Sequence, residues 1–126
     1  MLLFGADNRI ISYDNTIDDI KFTALRYTPI LHASSVWRKD SFLKKNLWFD
    51  QGMVPAEDYY MWVKALLAGL NLVNIPKIVY KYRIFDGQAT SNIPKVLAAE
   101  QKVRAEYLKV LLKGATAEQI ELWSHS

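Results

Sequence analysis

The chain has 126 residues, room for one compact domain and not two, so residues 1–126 are read as a single unit. Apolar residues make up 51% and aromatics 13%, which allows a real core and excludes disorder, while the lack of cysteine excludes disulfide staples and cysteine-based metal or redox sites. The net charge of +3 comes from scattered lysines and arginines with no dense basic run, so no nucleic-acid partner is expected; a mildly basic face remains compatible with anionic lipid or a phosphorylated substrate. The apolar start Met1-Leu2-Leu3-Phe4 is too short for a signal peptide, and no stretch approaches membrane-spanning length. The expectation is a soluble protein of a reducing compartment.

In chain order, Leu2 to Ile11 offers two short extended pieces around a turn at Ala6-Asp7-Asn8-Arg9. Thr16 is placed to cap a helix carrying Ile17, Ile20, Ala24 and Leu25, with Asp18 and Asp19 in its first turn as dipole partners rather than metal ligands. Alternation from Thr28 to Trp37 predicts a strand with His32 and Ser34 on one face. Those two polar side chains either satisfy neighbouring backbone groups or line the acceptor side of a cleft.

A short helix is predicted over 39–45, followed by Leu47-Trp48-Phe49-Asp50-Gln51-Gly52, whose aromatics read as core or as part of a lid. Next comes Val54-Pro55-Ala56-Glu57-Asp58-Tyr59-Tyr60-Met61-Trp62, two adjacent carboxylates at the mouth of an apolar helix. Tyr59, Trp62, Leu66 and Leu70 recur on one helical face, and Gly69 supplies the left-handed stop. A strand over 71–75, a break at Pro76 and a second strand over 77–85 follow. Asp86 to Ser91 is rich in turn residues. A long helix begins near Pro94 and ends at Gly114, its buried face drawn through Val96, Val103, Tyr107, Val110 and Leu111. Thr116 and Gln119 have the capping-box spacing for a last helix bearing Ile120 and Trp123.

Three of these pieces, taken in order, resemble a known family. Ser34-Ser35-Val36-Trp37-Arg38-Lys39, then Glu57-Asp58-Tyr59-Tyr60-Met61-Trp62, then Ile75-Pro76-Lys77-Ile78-Val79-Tyr80-Lys81-Tyr82-Arg83 look like the carboxy-terminal half of a family 2 glycosyltransferase, over roughly half the chain. The resemblance implies an α/β fold: a partial nucleotide-diphospho-sugar transferase (A-type) fold of short mixed strands packed with helices. It implies an inverting transfer of sugar from a nucleotide-sugar donor to a glycan or lipid-linked acceptor, in bacterial surface polysaccharide synthesis. The protein is then cytoplasmic, in peripheral contact with the inner face of the membrane.

By the same resemblance Asp58 is the catalytic base and Glu57 orients the acceptor or holds the helix entrance. Tyr59 and Trp62 either flank a sugar ring or pack in the core. Arg83 reaches the donor's phosphates or forms a salt bridge with the two acids. Gln88 and Ser91 belong to a segment that closes over the donor. A divalent magnesium or manganese ion is implied for the full-length enzyme and none for this stretch alone. Where relatives often carry a metal-binding histidine, this chain has Phe85, and Asp86 is the substitute ligand. The amino-terminal donor-binding half, with its Asp-x-Asp, is missing from these residues, so the stretch alone is expected to be inactive. An uncovered sheet edge leads to the expectation of a homo-oligomer. The rival reading is a non-catalytic interaction or assembly domain that keeps the fold.

Overall fold

The computed structural model describes residues 1–85, 87 and 92–125. Its organising element is helix α3 (Glu57–Leu67), which buries Tyr59, Met61, Trp62, Val63, Ala65 and Leu66. Every third or fourth position of an α-helix faces the same way, so this apolar series covers a wide stripe of the helix. Helix α1 (Ile17–Thr23) adds Ile20, and Ala24 follows just past its end; α2 (Lys39–Lys44) adds Phe42. Helix α4 (Ile93–Leu111) lays Ala99, Val103 and Tyr107 against α3, and α5 (Ala117–Ser124) packs on α4.

The helix ends follow local chemistry. The Thr16 hydroxyl accepts from the Asp19 N–H at 3.2 Å, and the Asn92 carboxamide oxygen accepts from the Lys95 N–H at 3.2 Å. Both bonds satisfy donors that a helix start leaves open. Thr116 and Gln119 close a full capping box, the Thr116 N–H donating to the Gln119 side chain at 2.9 Å. At the far end of α3, Gly69 takes φ +77°, and the N–H groups of Gly69 and Leu70 donate to the carbonyls of Leu66 and Ala65. That is the paired closure of a Schellman stop, and it needs the left-handed backbone glycine provides.

The sheet is small. Strand β1 (Leu2–Gly5) pairs in parallel with β2 (Lys81–Ile84), in the register Leu2 to Lys81 and Gly5 to Ile84. A parallel pair needs a long crossover, and here it encloses α1, α2 and α3. Gly5 stands at φ +99°, where a Cβ would lie 2.5 Å from the Ile84 carbonyl oxygen. The architecture is thus mixed α/β with two parallel strands and packed helices.

Two expected strands are corrected. Residues 28–37 form no strand; His32–Ser34 is a single 3-10 turn instead. The Ser34 and Ser35 hydroxyls donate to the carbonyls of Leu31 and His32 at 3.3 and 2.7 Å, and these local bonds replace the ladder a strand would need. His32 and Ser34 therefore do not share a strand face. Residues 71–75 are likewise irregular, and the second strand covers only Lys81–Ile84 of the expected 77–85. From 71 to 79, among the described residues, the one backbone-to-backbone bond is Lys77 N–H to the Ile75 carbonyl. The buried face of α4 is also rotated: Val110 and Leu111 are about half exposed, and Ala99 and Leu108 are buried instead.

Arg104 ties three elements together. Its Nε donates to the Ser124 carbonyl at 2.7 Å and its Nη1 to the Arg26 carbonyl at 2.9 Å, with Glu100 Oε2 at 3.9 Å. The side chain is only 12% exposed, so most of it is enclosed by these elements, with the bond to Arg26 at the surface. Arg104→Ala is expected to cost about 2–3 kcal/mol in urea denaturation, as charged hydrogen bonds of this kind do. Arg104→Lys should recover little, because an ammonium cannot reproduce the planar fork. An unchanged midpoint in Arg104→Ala would rule out this clamp.

Candidate active site at the entrance of helix α3

Pro55 and Ala56 lead into α3, and its first turn presents Glu57 and Asp58 at the positive end of the helix dipole. Both side chains are half-buried. Asp58 Oδ1 accepts from the Tyr59 N–H at 2.7 Å. Burial pushes the Asp58 carboxyl above the ordinary carboxylate range; the Tyr59 bond and the nearby His32 imidazole pull it back, while Glu57 raises it further. Glu57 Oε2 is enclosed with no hydrogen-bond partner. An unpaired buried carboxylate oxygen is unusual in a folded protein and marks a place where a polar group is wanted.

Two further titratable groups share this neighbourhood. Burial raises Glu100 on α4; Arg104 opposes the shift and Asp58 adds to it. Burial also raises the Tyr13 phenol, with Asp58 the next contributor. Neither Glu100 nor Tyr13 was singled out from the sequence. Glu100 looks like one more polar position on an amphipathic helix, and Tyr13 lies in a segment without periodicity. Only the chain's path brings them to Asp58.

The aromatic residues divide between core and rim. Tyr59 is 1% exposed, and its hydroxyl donates to the Ala24 carbonyl at 2.7 Å, so it offers no ring face to a sugar. Burial raises its phenol strongly. Trp62 is equally enclosed, edge-on to Phe42 at 6.1 Å and 6.0 Å from the His32 ring, with its Nε1–H unpaired. Both are packed in the core, and Trp62 also borders a neighbouring cleft. His32 and Ser34 are exposed on the 3-10 turn. Trp48 is 49% exposed and so is not ordinary core.

A cleft of about 840 Å³ opens beside this region, lined among others by Tyr13, Ser34, Trp37, Trp62, Asn74 and Tyr80. Such a volume suits a small-molecule ligand. Glu57 and Asp58 do not line it; Tyr13 lines it and also lies within electrostatic reach of Asp58. Arg83 stands on β2 with its guanidinium 5.3 Å from the centre of the Phe4 ring. Gln88, Ser91 and Asp86 lie outside the described residues. Among the described residues no group of three His, Cys, Asp or Glu side chains comes together to hold a metal ion, so the described set does not by itself fit one. No helix among them is long and apolar enough to cross a membrane.

Comparison with known proteins points to one class, the glycosyltransferases. The chain is similar to an uncharacterized glycosyltransferase of Haemophilus influenzae, 30% identical over 92 residues that cover 69% of this chain and 33% of the relative. It therefore spans about a third of that protein's length. No family model matches the chain, and no solved structure matches it.

Proposed function

We propose that this chain supplies the acceptor side and catalytic base of an inverting family 2 glycosyltransferase of the A-type fold. The longer protein would move a sugar from a nucleotide-sugar donor to a hydroxyl of a glycan or lipid-linked acceptor, in surface polysaccharide synthesis at the cytoplasmic face of the membrane. The observation that carries this reading is the half-buried Asp58 carboxylate at the α3 entrance, its proton affinity raised by burial. The likeness to a glycosyltransferase supports it.

In this reaction the acceptor oxygen forms a bond to the anomeric carbon as the bond from that carbon to the diphosphate breaks on the opposite face. The acceptor's proton passes to Asp58. An ordinary aspartate, with a pKa of ~3.9, is a weak base; partial burial makes Asp58 a stronger one. Glu57 is assigned to orienting the acceptor or holding the helix entrance, where one of its oxygens is enclosed and unpaired. Arg83 is assigned to the donor's phosphates, where a guanidinium binds in two-pronged fashion. Gln88 and Ser91 are assigned to donor closure. Magnesium or manganese, with Asp86 as a ligand, is part of the proposal for the longer protein. The test is Asp58→Asn in that protein: sugar transfer should be lost with nucleotide-sugar affinity retained. Equal loss of both would make Asp58 a structural residue.

One observation favours the rival assembly reading. Val36, Val73, Ile75 and Val79 are between 66% and 98% exposed, an unusual density of bare β-branched side chains. Self-association of the 126-residue chain is expected on this ground, seen as concentration-dependent mass in light scattering. A monomer at high concentration contradicts it. Strong association without nucleotide-sugar binding by the longer protein would favour assembly over catalysis.

A further inference from the structure

Trp48 is a large aromatic whose placement neither the core nor the proposed chemistry accounts for. The residue is 49% exposed, yet its backbone is held on both sides. Leu47 is buried at 6% exposure, and its N–H donates to the Phe42 carbonyl at 2.9 Å. Lys64 of α3 reaches across to donate from Nζ to the Trp48 carbonyl at 2.8 Å. On the following residues, Asp50 Oδ1 accepts from the Gly52 N–H at 2.9 Å and holds the next turn. An exposed indole on a mobile loop would be unremarkable; one on a braced backbone keeps its orientation without losing further entropy on binding.

The rings around it form a continuous path. Trp48 meets Trp37 at 6.0 Å and 72°, and Phe49 at 5.8 Å and 68°. Phe49 in turn meets His32 at 5.3 Å and 81°. All three contacts are edge-to-face, so neither Trp37 nor Phe49 stacks flat on Trp48. His32 is exposed and lies within electrostatic reach of Asp58. The path therefore runs from the half-exposed Trp48, past Phe49, to an imidazole within electrostatic reach of the proposed base.

We propose that Trp48 is a stacking platform for a pyranose ring of the acceptor, with His32 as the polar contact between that ring and Asp58. A pyranose has one face of C–H groups bordered by hydroxyls, and it matches an apolar plane that leads into a hydrogen-bonding side chain. This assignment rests on the glycosyl-transfer reading for its choice of substrate class, and its test needs no turnover.

The chain is labelled with ¹⁵N at its indoles, and the Trp48 Nε1–H signal is assigned by its loss in Trp48→Phe. It is then titrated with methyl β-glucopyranoside, methyl β-galactopyranoside and methyl N-acetyl-β-glucosaminide, with cyclohexanol as the apolar control. The expected result is a saturable shift of the Trp48 signal by at least one glycoside and not by cyclohexanol. Followed at the neighbouring Trp37 signal, Trp48→Leu should weaken that binding about tenfold, the scale of one lost aromatic stacking contact, while Trp48→Phe keeps most of it. No shift with any glycoside, an equal shift with cyclohexanol, or unchanged affinity in Trp48→Leu would overturn the proposal. Binding at Trp48 together with full transfer by Asp58→Asn would sink the catalytic assignment and leave this one standing.

Discussion

Asp58→Asn in the longer protein is expected to lower the rate of sugar transfer about 10²–10⁴-fold, the usual contribution of a positioned general base. The same variant should be more stable than the native protein at neutral pH. Burial raises the Asp58 carboxyl above its ordinary range, so the folded state holds a proton that the unfolded chain releases more readily. Stability from this group is complete below the unfolded value and is lost as pH rises through the folded one. Asparagine has no charge to lose, and its side-chain oxygen can still accept from the Tyr59 N–H. A group that weakens the fold while serving a reaction is a common trade at active sites. Urea denaturation at neutral pH reads the difference directly, and a destabilised Asp58→Asn would contradict it.

The second large effect is on the fold. Trp62→Ala should cost about 3–5 kcal/mol, since it empties the space of a fully enclosed aromatic beneath Phe42 and His32. Domains of this size hold only about 5–15 kcal/mol in total, so much of the stability would go. Trp62→Phe should cost less, partly because it also removes a buried N–H that has no acceptor. The two variants measured by denaturant titration separate packing from ligand contact. A small loss in Trp62→Ala with a large loss of acceptor binding would return Trp62 to the site.

Helix boundaries were readable because their causes lie within one turn. Thr16 and the Thr116–Gln119 pair act on N–H groups three residues away, and Gly69 closes bonds to Leu66 and Ala65. Strands have no such local warrant. The alternation over 28–37 was real, but a strand needs a neighbour, and serine hydroxyls turned the segment on itself. The carboxylate pair was legible as a first-turn feature. Its environment was not, because Glu100, Tyr13 and His32 reach Asp58 from elements far apart in the chain. Arg104 shows the same limit: it reads as a solvated helix charge, and its two carbonyl partners lie 20 and 78 residues away.

The most direct measurement of the central claim is the pH dependence of kcat/KM for the acceptor in the longer protein. In the proposed reaction the active form of Asp58 is the carboxylate, so the rate should fall on the acid side with a midpoint above the ordinary aspartate value of ~3.9. In Asp58→Asn the remaining rate should lack that acid limb. The same limb at the same midpoint in the variant would place the proton acceptor somewhere other than the entrance of α3.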